Sequence, residues 1–291
     1  MHGERPPIHA FIHIFKTGGT TLTGILRRNF TIRHFDTRLF RNRSPVEAAD
    51  LRRIRWIYPN LVSMAGHAVR PFTDLDTQYP NVKFYTFLRQ PRSRIFSAFR
   101  FTTANMVRDG GWRPANSDEI GKVLAEIIEI RANEMCAALA PEGRAQPAIQ
   151  MVDEKIGFVG LVEAFDESLI YLREWMGNPD FDIRYQKMNV SGDRSGKFKR
   201  SEIQPFLDRL DDFVRDAMSR QTTLDLVAET NRDDQALYDH AVQHFDALRK
   251  EGRLHLPAST MTLEDRRLNS DTLGAKAHRL VGKLLVPVLV K

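Results

Sequence analysis

Cysteine is almost missing from this chain. Cys136 stands alone among 291 residues, so no intramolecular disulfide and no cysteine-based zinc site can form, and a reducing compartment is the simplest setting. No apolar run approaches the roughly 20 residues of a membrane-spanning helix. The apolar stretch after Pro6 and Pro7 covers about eight residues, too short for a signal-peptide core with its cleavage site, and a cytoplasmic chain is expected. Internal repeats, low-complexity tracts and linker-like segments are also lacking, which favours a single domain over residues 1–291. Three Asn-x-Ser/Thr triplets, at Asn29, Asn42 and Asn189, would matter only in a secreted protein.

What is present is an ordinary globular composition, 42% hydrophobic and 27% charged, which excludes disorder, collagen and coiled coil. Lys plus Arg number 43 against 37 Asp plus Glu, a net charge of +6. That excess suits an anionic ligand without naming one, leaving nucleic acid, a phosphorylated cofactor and an acidic polysaccharide open.

The apolar, β-branched and aromatic run from Ile8 to Phe15 reads as a strand buried on both faces, with His9, Phe11, His13 and Phe15 on one side. After Lys16-Thr17-Gly18-Gly19-Thr20-Thr21 the spacing of Leu22, Ile25, Leu26 and Phe30 turns helical. Ser44-Pro45-Val46-Glu47 reads as a capping box opening a helix that ends near Pro59. Strands are expected at Leu61–Ala65, Val82–Leu88 and Ile156–Val162. Helices are expected after Pro91, over Ile120–Leu139, over Phe165–Met176 and through most of Ser201–Lys250. Strands alternating with helices give a three-layer α/β domain with a central parallel sheet and a helical C-terminal part.

Two strand-to-helix junctions carry chemistry. A helix N-terminus preceded by glycines offers unpaired N–H groups and the positive end of the helix dipole, a site for phosphate or sulfate. Gly18, Gly19, Thr20 and Thr21 supply those donors, Lys16 adds a full charge, and the hydroxyls of Thr17, Thr20 and Thr21 could complete the shell. Lysine precedes the glycines, whereas a Walker A loop places it after them, which disfavours a Mg²⁺-dependent NTPase. A plain turn is the competing reading. At the second junction Arg89 ends a strand and Ser97 lies about two turns into the next helix, where both could grip a second anionic group.

The segments Phe11–Leu22 and Phe87–Phe99 resemble the 5'-phosphosulfate loop and the 3'-phosphate motif of sulfotransferases that use 3'-phosphoadenosine 5'-phosphosulfate (PAPS). The carbohydrate branch, of the heparan sulfate 2-O-sulfotransferase kind, is the most similar. Gly157–Glu163, Asn189–Ser191 and Asn231–Tyr238 add weaker similarity in family order. The resemblance implies a P-loop NTPase-like fold, PAPS as donor and 3',5'-ADP as product, with no metal. It implies that Lys16 contacts the transferring sulfonate, that Gly18, Gly19, Thr20 and Thr21 hold the 5'-phosphate, and that Arg89 and Ser97 hold the 3'-phosphate. Arg194, Ser195 and Lys197 sit where a later loop of the family closes over the donor.

Sulfonate transfer needs in-line placement, a cation at the leaving oxygen and a base for the acceptor proton. Lys16 meets the second demand. His67 is the candidate base, since it follows Gly66 after a short strand, titrates near pH 6.5 when unperturbed, and matches the Gly-His of the 2-O branch. A structural histidine is the ordinary alternative, and Glu163 is the reserve. Three positions depart from the family pattern: Phe15 replaces a common proline, Gln90 replaces an aspartate, and Ala65 stands where the 2-O branch has a second histidine. The last argues against a uronic-acid acceptor.

A carbohydrate or glycolipid is therefore the expected acceptor, in a bacterial cytoplasm, and nucleic acid is not an expected partner. Nine arginines against three acids between Arg27 and Arg55 could line an acceptor groove or form a solvated face. His240 and His244 share a helical face but lack a third metal ligand. The tail from about residue 265 carries Leu280, Val281, Leu284, Leu285 and Val288 at helical spacing beside Lys276, Arg279 and Lys283, fit for docking on the core or for peripheral contact with a membrane. Two other functions compete: a nucleotide-dependent kinase on a similar sheet, and a basic nucleic-acid-binding protein.

Overall fold

The computed structural model describes residues 6–37, 44–112, 114–185 and 200–251. Its centre is a sheet of five parallel strands, β1 (Ile8–Ile12), β2 (His34–Asp36), β3 (Ser63–Gly66), β4 (Val82–Leu88) and β5 (Ile156–Leu161), in the order β2-β3-β1-β4-β5. Because every pairing is parallel, each strand must be reached by a crossover that covers one sheet face. β1, at the centre, is buried along its whole length.

The strand alternation sorts two cores. Ile8, Ala10, Ile12, Phe84 and Leu88 face one side and pack with helices α2 (Ala48–Ile57), α6 (Glu134–Leu139), α7 (Ala145–Glu154) and α11 (Arg232–Lys250). Phe11, Tyr85, Phe87 and Phe158 face the other and pack with α1 (Gly19–Phe30) and α8 (Phe165–Trp175). A short α3 (Leu75–Gln78) precedes β4. A third apolar cluster joins α4 (Pro91–Gly110), α5 (Ser117–Ile130), α9 (Arg200–Ser219) and α10 (Gln221–Thr230) and, among the described residues, includes none from the sheet. This is the three-layer α/β arrangement with a helical C-terminal part expected from the alternation of periods.

Three local expectations need correction. The first strand stops at Ile12 rather than Phe15. The capping box is shifted: Val46 is fully buried and donates its N–H to the Ala68 carbonyl at 2.8 Å, so α2 starts only at Ala48, and Asp50 Oδ2 accepts the Glu47 N–H at 3.1 Å. The helix expected over Ile120–Leu139 is broken into α5 and α6 by Asn133, whose φ is +46°.

The cause of that break lies about a hundred positions away in the chain. Asp234 caps α6 by accepting the N–H groups of Met135 (3.2 Å) and Cys136 (2.8 Å), while Asn133 Oδ1 accepts the Asp234 N–H at 3.1 Å. Asp233 caps α7 through the Ala145 N–H at 2.9 Å. Arg94, fully buried, donates to Glu134 at 2.9 Å, Asp234 at 3.2 Å, Asn231 at 3.1 Å and the Arg131 carbonyl at 2.7 Å. A buried charge so enclosed costs about 3–5 kcal/mol when one partner is removed. The network fastens α4 to α6 and α11, and with it fixes the start of the helix that follows Arg89.

Candidate active site

The C-terminal edge of the sheet gathers four loops, after β1, β3, β4 and β5. After β1 the backbone turns sharply: Lys16 has φ +67° and Gly18, the residue capping α1, has φ +78°. A lysine held in the left-handed region costs about 1–3 kcal/mol, a strain that persists where surrounding structure requires it. Gly19 has a different reason: a Cβ there would lie 2.0 Å from the His13 ring. No side chain caps α1 and no acidic residue occupies its first turn, so its N-terminal N–H groups and dipole face outward, as an anion site requires.

The side chains of this loop divide. Thr17 is fully buried and donates its hydroxyl to the Ile14 carbonyl at 3.0 Å; it staples the loop, and its hydroxyl proton is not offered to a ligand. Thr20 and Thr21 are half-buried in the first turn. The Lys16 ammonium lies 4.4 Å over the Phe101 ring and 5.7 Å from that of Phe15. Phe15, the departure from proline, thus helps to hold Lys16, and on the same ring rests the Arg131 guanidinium at 4.4 Å.

After β4, Arg89 Nη1 donates to the Lys16 carbonyl at 3.3 Å, joining the two junctions. Its Nε is buried with no hydrogen-bond partner among the described residues. Burial lowers the Arg89 pKa, with the Glu163 carboxylate pulling the other way, and a guanidinium stays charged regardless. Glu163 accepts the Gln90 N–H at 3.1 Å on one oxygen and the Tyr238 hydroxyl at 3.0 Å on the other. Ser97 is half-buried on α4.

After β3, His67 is solvent-exposed, with its ring stacked on His13 at 4.3 Å between centroids. Its pKa is lowered from 6.5, chiefly by burial of part of the ring; Arg70 and Arg131 add to the lowering, while the nearby His13 main chain and the Glu134 charge oppose it. A neutral, accessible imidazole can exchange a proton with a ligand. His13 is pushed further, to about 3, by burial first and then by His67 and Arg27.

The structure therefore brings Lys16, Thr17, Gly18, Gly19, Thr20, Thr21, His67, Arg89 and Glu163 to one edge, with Ser97 on the helix that leaves it. Arg194, Ser195 and Lys197 lie outside the described residues, as do Asn189–Ser191 and the tail from residue 265. The arginine-rich stretch is largely engaged where described: Arg27 pairs with Asp36, Arg28 with the Asp182 carbonyl, Arg53 with Asp50, and Arg55 lies over Tyr79. His240 bonds Asp153 at 2.8 Å. Sequence reasoning overlooked His13, Arg70 and Arg131 around the site; the alternation that puts His13 beside Phe11 is the signal that could have found the first. Among the described residues, no three His, Cys, Asp or Glu gather to hold a metal ion, and no helix is long and apolar enough to cross a membrane.

The edge sets an uncapped helix N-terminus and a half-buried arginine side by side on a parallel sheet, two features that each suit an anionic group. A family model described as "Sulfotransferase family" matches residues 9–241, which covers all of the sheet but Ile8, and all four loops. The chain belongs to the sulfotransferase family, a membership that does not favour the kinase or nucleic-acid readings. No curated protein matches the chain.

Proposed function

We propose that this sulfotransferase moves the sulfonate of PAPS to a hydroxyl of a carbohydrate or glycolipid, in the manner of the carbohydrate branch of the family. The observation that carries the reading is the meeting, on one sheet edge, of an uncapped α1 N-terminus, an arginine with an unpartnered buried Nε, and an accessible imidazole. The residues suit the donor. The N–H groups of Gly18 to Thr21 would take its 5'-phosphate and Arg89 with Ser97 its 3'-phosphate. When bound, the donor supplies an activated sulfonate.

The chain's own work is then threefold. Lys16 Nζ leaves the Phe101 ring to neutralise charge building on the leaving phosphate oxygen. Backbone donors and Arg89 hold the donor at both ends, so that displacement is in line. A His67 ring nitrogen takes the acceptor's hydroxyl proton as its oxygen bonds to sulfur. Glu163, with both oxygens engaged, supports the Arg89 corner instead of acting as base. Arg194, Ser195 and Lys197 remain candidates for closing over the donor, and the C-terminal tail for docking on the core or at a membrane surface.

His67→Ala tests the assignment. Turnover should fall by about a hundredfold or more, the scale of a lost general base, while 3',5'-ADP affinity in calorimetry stays within about threefold of the parent, half an RT-scaled decade. The wild-type rate should also decline as pH falls through a midpoint below 6.5, because the lowered pKa keeps the imidazole neutral to more acidic pH. Retained turnover in the variant would remove His67 from the chemistry.

A further inference from the structure

We propose that His13 is the positioning residue for His67: it fixes the plane of the base through a three-ring stack and ties that plane to the backbone of the anion cradle. The proposal rests on the reading of His67 as base. Phe11, His13 and His67 are stacked in sequence, with centroids 5.6 Å and 4.3 Å apart and planes inclined by 17° and 26°. Phe11 is fully buried and packs against Tyr85 at 5.3 Å and the edge of Phe87 at 6.4 Å, so the stack is rooted in the core. Burial falls along the stack, from buried Phe11 through half-buried His13 to exposed His67.

Two further contacts give the stack its register. The His13 N–H donates to the Gly66 carbonyl at 3.3 Å, extending the β1–β3 pairing to the residue before His67. His13 thus holds its neighbour by face and by backbone. The other edge of the His13 ring lies against Gly19, where a Cβ would stand 2.0 Å from Cδ2 and 2.2 Å from Nε2. That glycine is the first residue of α1, so a backbone shift of the cradle moves the ring on which the base rests.

The groups around the stack explain why two adjacent imidazoles do not compete for the proton. His13 faces Arg27 on α1 and His67; His67 faces Arg70 after β3, and Arg131 and Glu134 at the break between α5 and α6. With His13 held to about 3, His67 is the ring of the pair that gains a proton first as pH falls. His13 contributes a flat neutral surface, which another aromatic ring could replace.

The test compares His13→Ala with His13→Phe, following the His67 ring by proton NMR titration of the free protein alongside kinetics. In His13→Ala, water replaces the stacked face, so the His67 pKa should rise toward 6.5 and the acidic limb of kcat/KM should move up with it. kcat should fall about tenfold or more as the base loses its orientation, with 3',5'-ADP affinity within about threefold. His13→Phe should restore both the titration and most of kcat. His13→Leu, which fills the volume without a ring plane, serves if His13→Ala does not fold, and should behave like it. An unchanged His67 titration in the alanine or leucine variant, or a phenylalanine variant as poor as alanine, would overturn the proposal. If His67→Ala kept its turnover, the base assignment would fail, while the titration in the free protein would still decide whether His13 sets the ring.

Discussion

The two strand-to-helix junctions look alike in sequence, each a strand running into a polar corner and then a helix, yet they spend their hydrogen-bonding groups in opposite ways. At α1 the capping position is a glycine with no side chain to offer, and the first turn has no acid. At α4 the Gln90 side chain accepts the Ser93 N–H at 2.7 Å, Pro91 removes one donor outright, and Glu163 takes the Gln90 N–H. The first junction therefore presents backbone donors to a ligand. The second satisfies its backbone internally and presents side chains, Arg89 and Ser97. Backbone donors cannot be mutated away but can be displaced, whereas a single substitution deletes the Arg89 charge or the Ser97 hydroxyl.

That contrast can be broken most severely at Lys16, the one side chain at the backbone-based junction with a full charge. Lys16→Ala should lower kcat by about a thousandfold, the scale of a lost donor at a developing charge, with 3',5'-ADP affinity changed modestly because the α1 N–H groups remain. Arg89→Ala should do the reverse: loss of charge-assisted hydrogen bonds worth about 1.5–3 kcal/mol weakens 3',5'-ADP binding by roughly 10- to 100-fold, with a smaller effect on the rate at saturating donor. Single-turnover kinetics and calorimetry on both variants separate the two roles. If Lys16→Ala lost binding and kept its rate, the division of labour between the junctions would be wrong.

The features legible in the sequence share a local cause. Periodicity places β1, β4, β5, α1 and α8 because burial on one or two faces leaves its mark within a few residues. Lys16, the glycines and Arg89 are readable because strand-loop-helix order puts them at the ligand-binding edge of a parallel sheet. What escaped was set by distant partners. The α5–α6 break depends on Asn133 accepting the Asp234 N–H and on the Asp234 carboxylate capping α6 from about a hundred residues away, inside an apolar run that locally reads as continuous helix. Likewise, Thr17 looks like a ligand donor beside Thr20 and Thr21 until the turn at Lys16 aims its hydroxyl at Ile14. That the Glu163 carboxylate accepts the Tyr238 hydroxyl is likewise invisible until α11 is placed beside it. His13 was visible as a member of a strand face, but its place against Gly19 depends on how tightly α1 packs back on β1.

The smallest expected effect sharpens the comparison best, because it isolates a cap from a ligand site. Gln90→Ala removes the acceptor for the Ser93 N–H while leaving the Gln90 backbone N–H, and hence its bond to Glu163, in place. Loss of such a cap costs about 1 kcal/mol, a fall of roughly 2–4 °C in Tm for a chain of this size. If α4 satisfies its own N-terminus, as its geometry implies, 3',5'-ADP affinity should stay within about twofold of the parent, since no donor used by the ligand has been touched. A glutamine that instead helped to hold the ligand would show the opposite balance, an unchanged Tm in the free protein with a several-fold loss of affinity. Thermal melts with and without 3',5'-ADP distinguish the two, because a cap lowers both curves equally whereas a ligand contact narrows the gap between them.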